Sequence, residues 1–271
     1  MCKPIILRME LRDQALRILA LDHPAAKALA TRELQRRAAS GLVLDCNALL
    51  QATTTLPGRP ARPQLVAATS LPKRSPFTPL GRAGLLHSVA HIEFNAINLA
   101  LDAVWRFPAM PVDYYRDWLS VASEEALHFT LLSDHLAALG HAYGDFDAHD
   151  GLWAMTERTA GDITARMALV PRTLEARGLD ATPPMQARLA QAGDHRAVEI
   201  LAVILRDEIG HVAIGNHWYH WLCARDGRDP VSHYRVLAAQ HGAPRPRAPF
   251  NIDARLQAGF SLEEIAALNC P

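Results

Sequence analysis

Two short stretches place an acid, a glutamate and a histidine inside segments that are otherwise apolar. In "ASEEALHF", Glu125 precedes His128 by three positions, and in "LRDEIGHV" Glu208 precedes His211 by the same spacing. Residues three apart lie on one face of a helix, so each Glu and His project together. Burying a charge is strongly unfavourable unless something compensates it. Because carboxylate and imidazole ligands together suit iron or manganese, the two motifs indicate a metal site.

The Glu-x-x-His spacing alone is weak evidence, because 11 Glu and 13 His in 271 residues are expected to produce about 0.5 matches by chance. The position of each motif on its helix decides more. At 100° per residue, the face of Glu125 also carries Trp118, Val121, Leu132 and Leu136. The face of Glu208 carries Ala197, Leu201, Ile204 and Val212. Both motifs are therefore predicted to face a protein core.

A third glutamate, Glu93, is predicted to point inward from an earlier helix. Its face also carries Leu86, Val89, Ile97, Ala100 and Val104. In an antiparallel hairpin, residues equidistant from the turn lie side by side. The midpoint of Glu93 and Glu125 is residue 109, inside the predicted turn "FPAMPVD". The two glutamates are therefore expected at one level of the bundle.

The fourth carboxylate should come from the third long helix, where the candidates are Glu157, Asp162 and Glu175. Asp162 lies one turn from an arginine on either side, which is typical of a surface ion-pair row. Glu175 shares its face with small, largely uncharged residues and precedes Glu208 by 33 positions, close to the 32 of the first pair. Glu175 is preferred, but it lies near the predicted helix end, and Glu157 stays open as the alternative.

The predicted ligand set is Glu93, Glu125, His128, Glu175, Glu208 and His211. One Glu from each of two helices, with Glu-x-x-His from each of the other two, is the plan of di-iron and di-manganese carboxylate bundles. Two divalent cations would neutralise four carboxylates, so two iron ions are predicted, with manganese as the alternative. The acids before the motif glutamates, Glu124 and Asp207, would either orient a ligand histidine across the bundle or be solvated.

Long helices must position these groups, and the sequence predicts them at about residues 81–107, 111–139, 152–177 and 194–224. Strand signals are nearly absent, so the predicted fold is all-α, with an antiparallel four-helix bundle over residues 81–224. Residues 1–52 are predicted to form short helices, and the proline-rich linker 53–80 is predicted to wrap the bundle. Residues 225–271 form a tail of short helices, with a capping box at Ser261.

The composition argues against several classes of protein. Lys+Arg and Asp+Glu number 28 each, so no net positive charge favours nucleic acid. The cysteines have no CxxC pair, which disfavours a disulfide framework or a thiolate zinc site; they are Cys2, Cys46, Cys223 and Cys270. The apolar run near the start is too short for a signal peptide, and no uncharged apolar stretch reaches the length of about 18 residues that spans a membrane. A cytoplasmic protein is expected, without a membrane or nucleic-acid partner.

Several stretches resemble the ferritin-like superfamily and, more closely, the bacterial family known as domain of unknown function 455. They are "HSVAHIEFNAINLALD", "SEEALHF", "YGDFDAHDGLW", "VPRTLEARGLD", "LRDEIGHVAIGNHWY" and "PFNIDARLQAGF", and they cover most of the chain from about residue 75 to the end. The resemblance implies a ferritin-like bundle with a di-metal site, and the block "LEARGLD" strengthens Glu175 over Glu157. It implies no particular reaction.

The favoured hypothesis is a di-iron oxidoreductase that activates O₂ to hydroxylate or otherwise oxidise a small-molecule substrate. Glu125 and Glu208 would bridge the metals. Glu93 and Glu175 would be terminal oxygen ligands, and the two histidines terminal nitrogen ligands. The alternatives are ferroxidase-type metal handling without an organic substrate and a non-catalytic helical protein that binds a partner. The sequence identifies neither the substrate nor the electron donor. A homodimer is compatible with the sequence.

Overall fold

The computed structural model describes residues 10–268, and within this range the regular structure is helical, without a β-strand. The prediction of an all-α fold with a packed helical bundle is confirmed. The long helices are α3 (Pro79–Arg106), α4 (Val112–Ala138), α7 (Ala176–Gln191) and α8 (His195–Arg225). The others are α2 (Pro24–Ala39), which matches α7 at 16 residues, and the shorter α1 (Leu11–Leu19), α5 (Gly151–Arg158), α6 (Ile163–Leu169), α9 (Pro230–Gln240), α10 (Ile252–Gln257) and α11 (Leu262–Leu268). Cys46 and Cys223 are free thiols, while Cys2 and Cys270 lie outside the described residues.

The first, second and fourth predicted long helices correspond to α3, α4 and α8, with ends that differ by two residues or fewer. Local signals explain the agreement. Thr78 caps α3 by accepting a hydrogen bond from the backbone of Gly81, and Asp194 caps α8 in the same way. Gly140 follows α4 with a φ of 79°, the left-handed conformation that commonly ends a helix. The predicted capping box at the start of α11 is also present.

The prediction of one continuous third helix over residues 152–177 is wrong. A turn separates α5 from α6, and the carboxylate of Asp162 caps α6 by accepting from the backbone of Ala165 at 2.9 Å. A π-helical segment, Val170–Glu175, then joins α6 to α7. Pro171 lies within this segment and has no N–H to form an α-helical hydrogen bond, so the wider turn accommodates it.

The same region also continues beyond its predicted stop at "GLDATPP", because α7 runs through two prolines to Gln191. Pro183 leaves the carbonyl of Leu179 without its helical donor. The side chain of Asn251, in the C-terminal tail, donates a hydrogen bond to that carbonyl at 3.2 Å. A distant residue therefore supplies the hydrogen bond that the proline removes.

Arg166 does not belong to a surface ion-pair row with Asp162, as the sequence pattern suggested. It is 1% exposed, and its guanidinium donates to Asp102 at 2.5 Å and to the carbonyl of Thr156 at 2.6 Å. Asp102 lies on α3, so this buried ion pair fixes α6 and the end of α5 against the first helix of the bundle.

Helices α7 and α8 run antiparallel. A glycine on α8 allows close contact with the π-helical segment that precedes α7. Near the turn, the side chain of Gln186 donates to the carbonyl of Val198. At the other end, a Cβ placed on Gly215 would lie 2.5 Å from the Cβ of Pro171. Only a residue without a side chain lets the π-helical segment approach α8 this closely.

The N-terminal part is fastened to the bundle by buried cations. Arg12 on α1 donates to the carbonyls of Val104 and Trp105, which end α3, and to carbonyls of residues 45–48. The segment 40–78 links α2 to α3 and has little regular structure. It runs along the protein to the loop after α4. There Arg59 pairs with Asp150 at 2.7 Å, and the backbones of residues 64–66 and 148 exchange hydrogen bonds.

Substitution Gly215→Ala is expected to destabilise the protein by about 1–3 kcal/mol, because the added methyl overlaps the rigid ring of Pro171. The matched control is Gly210→Ala on the same helix, where an added Cβ meets no atom within 4 Å. That change should stabilise the helix by up to about 1 kcal/mol. Urea unfolding measures both. Equal effects of the two substitutions would contradict the close contact.

Candidate metal centre

Four helical elements carry the six predicted ligands into the core. Glu93 comes from α3, Glu125 and His128 from α4, Glu208 and His211 from α8, and Glu175 from the end of the π-helical segment. All six side chains are buried, and the most exposed, Glu175, is 7% exposed. The structure thus places every predicted position on an inward face.

The side chains of four of these residues converge on one point. Glu93, Glu125, His128 and Glu208 each offer one ligand atom, and these atoms all lie within 4.8 Å of one another. His211 adjoins the group, with Nδ1 2.9 Å from Glu125 Oε1 and 3.6 Å from Glu208 Oε1. Glu175 is buried next to them but contributes no atom to the group of four.

Each histidine is oriented by an acid from the opposite helix. His128 Nε2, on α4, donates to Asp207 Oδ2 on α8 at 3.1 Å. His211 Nε2, on α8, donates to Glu124 Oε2 on α4 at 2.7 Å. Because Nε2 of each ring donates to an acid outside the cluster, Nδ1 faces the glutamates. Acids beside a metal site commonly orient ligand histidines in this way. Glu124 and Asp207 therefore contact histidines across the bundle, as the orienting role requires, rather than being wholly solvated.

Sequence reasoning missed Arg206, which holds one of these acids. Its Nε donates to Asp207 Oδ1 at 2.8 Å. Although partial burial raises the pKa of Asp207, hydrogen bonds from Arg206 and His128 outweigh it and hold that pKa below its ordinary value. The acid therefore stays ionised against His128. The adjacency of the two residues in "LRDEIGHV" is the signal that was available.

The glutamates at the centre have no cationic side chain apart from the histidines. Within residues 10–268, no ion pair with Lys or Arg is formed by the four central glutamates, which are Glu93, Glu125, Glu175 and Glu208. Glu208 Oε2 and both carboxylate oxygens of Glu175 are buried without a hydrogen-bond partner, while Glu93 Oε2 and Glu125 Oε1 have only histidine nitrogens beside them, at 3.4 Å and 2.9 Å. Buried polar atoms are almost always bonded. Unpaired carboxylate oxygens and an imidazole nitrogen at one place fit a bound divalent cation.

The pKa values reflect this crowding of negative charge. Burial, with the charge of Glu125, raises the pKa of Glu93 to about 8. Burial and the charge of Glu208 likewise raise the pKa of Glu175 well above its ordinary value. Burial lowers the pKa of His128, but its hydrogen bonds to Glu125 and Glu93 outweigh this and raise it to about 11. Protons thus offset part of the carboxylate charge, and a bound cation would displace them.

The two alternatives for the fourth carboxylate lie in different surroundings. Glu157 is exposed and accepts a hydrogen bond from Trp153 Nε1 at 2.9 Å. The pKa of Glu175, by contrast, responds to burial and to the charges of Glu208 and Glu125. This placement favours Glu175 over Glu157 as the fourth carboxylate.

Fold and site together define an all-helical protein with a buried cluster of glutamates and histidines between its helices. Residues 20–266 match the family described as "Protein of unknown function (DUF455)", and the chain belongs to this family. It is 53% identical over 213 residues to a Haemophilus influenzae protein described as an uncharacterized protein, covering 76% of this chain and 74% of that one. No solved structure matches the chain. Over the described residues, no helix combines the length and apolarity needed to cross a membrane.

Binding of Fe(II) under anaerobic conditions is expected to release protons, because Glu93, with a pKa of about 8, and His128, with a pKa of about 11, are protonated at neutral pH. The apparent affinity should therefore rise as the pH increases. Isothermal titration calorimetry in buffers of different ionisation enthalpy counts the protons. An affinity that does not change with pH, with no proton release, would rule out these side chains as ligands.

Proposed function

We propose that this protein is a ferritin-like di-metal carboxylate protein that holds two iron ions, or manganese, and uses O₂ to oxidise a substrate. The observation that carries the proposal is the pair of cross-bundle histidine–acid contacts around four glutamates that lack a Lys or Arg partner. A glutamate from each of two helical elements, with Glu-x-x-His from each of two others, is the ligand plan of such proteins.

The distances support a bridging role for Glu125. Its Oε2 lies 3.3 Å from His128 Nδ1, whereas its Oε1 lies 2.9 Å from His211 Nδ1. One carboxylate therefore faces both histidines with different oxygens. Glu93 lies on the side of His128, at 3.4 Å, and Glu208 on the side of His211, at 3.6 Å. This arrangement suits two ions that share Glu125, and Glu175 would complete the ligand set beside Glu208.

Iron ions bound by these ligands would supply the redox chemistry that activates O₂. The residues of the chain orient the ligands and control protons. Asp207 and Glu124 fix both imidazole rings through Nε2. Glu93, with a pKa of about 8 and its Oε2 3.4 Å from His128 Nδ1, holds a proton until a bound cation displaces it. Burial of all six ligands keeps bulk water out.

A second candidate is oxidation of iron itself as a substrate, without an organic molecule. A cavity of about 20 Å³ lies between α3 and the segment 59–65, where His91, Phe94 and Asn95 line it, and none of the six predicted ligands is in its wall. A cavity of this size holds about one water molecule, so it offers no room for an organic substrate.

Anaerobic reconstitution is expected to load two iron ions per chain, measured by elemental analysis and Mössbauer spectroscopy. Glu125→Ala should lose most of both ions, since it removes an oxygen ligand from each. The matched control is Glu199→Gln, an exposed acid on α8 that pairs with Arg196 and should retain full loading. A wild-type protein that binds no iron, or one zinc ion, would overturn the proposal.

The two candidate functions separate when Fe(II) is supplied in excess with O₂. Ferroxidase activity continues past two ions per chain, whereas an oxygenase that lacks its organic substrate stops near that ratio. An oxygen electrode records the consumption.

Substitution Asp207→Asn is expected to weaken iron binding about 10- to 100-fold, because it removes the charge that orients His128. Glu124→Gln should act in the same way through His211. Competition with a calibrated chelator measures the affinities, again with Glu199→Gln as the control. Unchanged affinity in both variants would show that the cross-bundle contacts do not support metal binding.

A further inference from the structure

A larger cavity lies on another part of the protein, where the π-helical segment, α9 and the C-terminal tail meet. Its volume is about 290 Å³, near the lower end of the range for small-molecule pockets. None of the six predicted metal ligands lines it. Its walls combine alanine, proline and leucine side chains with Arg172, Tyr234, Arg235, Arg245 and Glu264.

The buried charges of this cavity are already paired within the protein. Arg172, 4% exposed, donates to Asn216 Oδ1 at 2.5 Å and to Glu264 Oε1 at 2.6 Å. Glu264 also accepts from His220 Nε2 at 2.7 Å and from the backbone of Ser261 at 2.8 Å. Both of its carboxylate oxygens are therefore occupied, and its negative charge is matched by Arg172.

The remaining two cations in the wall have no such partner. Arg235 and Arg245 are exposed, and within residues 10–268 neither side chain forms an ion pair or a hydrogen bond. The hydroxyl of Tyr234 is engaged by Thr173 Oγ1 at 3.0 Å. The cavity thus combines apolar walls with two unpaired positive charges, so it is complementary to an anion that carries an apolar body.

We propose that this cavity binds a small organic anion. Arg235 and Arg245 would hold its carboxylate or phosphate group through charge-assisted hydrogen bonds, for which guanidinium geometry is well suited. The apolar part would lie against the alanines, the prolines and Leu268. The site does not depend on metal binding, so its test is independent of the proposed function.

The test uses the full-length protein and isothermal titration calorimetry with four probes: hexanoate, hexyl phosphate, inorganic phosphate and hexanol. Saturable binding of hexanoate or hexyl phosphate at one site per chain is expected, and the tighter of the two identifies the preferred head group. Arg235→Gln and Arg245→Gln should each weaken binding about tenfold or more, the effect of losing a charge-assisted hydrogen bond.

The matched control is Arg247→Gln, an exposed arginine two positions from Arg245 that does not line the cavity, and its affinity should equal that of the wild type. Circular dichroism verifies that each variant folds. The proposal is overturned if neither organic anion binds saturably, or if Arg247→Gln weakens binding as much as the other two. It is also overturned if hexanol or inorganic phosphate binds as tightly as the organic anions, since the cavity would then not use both charge and apolar surface.

Discussion

Four glutamate side chains meet in the centre of this bundle, where like charges repel strongly unless protons or cations lie between them. The raised pKa values of Glu93 and His128 show one solution, in which protons are retained at neutral pH. Two divalent cations are the other solution, and they would also satisfy the carboxylate oxygens that have no hydrogen-bond partner.

The buried ion pairs in the rest of the structure show why the lack of Lys and Arg beside the central glutamates is informative. Elsewhere the protein buries arginines freely and pairs them with carbonyls or acids. Arg166 pairs with Asp102, Arg172 with Glu264, and Arg255 with Asp180. Buried carboxylates elsewhere in the protein are therefore neutralised by guanidinium groups. Within the described residues, the four central glutamates have no such guanidinium partner. Because an arginine would fill the space of a metal ion, its absence from this one place fits metal binding.

The π-helical segment connects the two regions to which we assign functions. Its last residue, Glu175, belongs to the predicted metal-ligand set, while Arg172 lines the larger cavity and pairs with Glu264 of α11. Local π-helix is frequent at functional sites because it changes the direction of side chains within a helix. Here it follows from Pro171, and the close approach to Gly215 holds it against α8.

The sequence alone determined the all-α class, the limits of α3, α4 and α8, and the inward direction of the six ligands. These features follow from the helical period and from capping residues, which act over a few positions. The contact of His128 with Asp207 was one of two alternatives that the sequence left open, because α4 and α8 are not joined by a turn that would fix their relative level. Tertiary structure decided the rest. The continuation of α7 through Pro183 and the burial of Arg166 depend on partners 72 and 64 residues away along the chain, respectively. The choice between Glu175 and Glu157 also depended on tertiary structure. The burial of a side chain is set by the elements that pack against its helix, and a local sequence pattern does not contain that information.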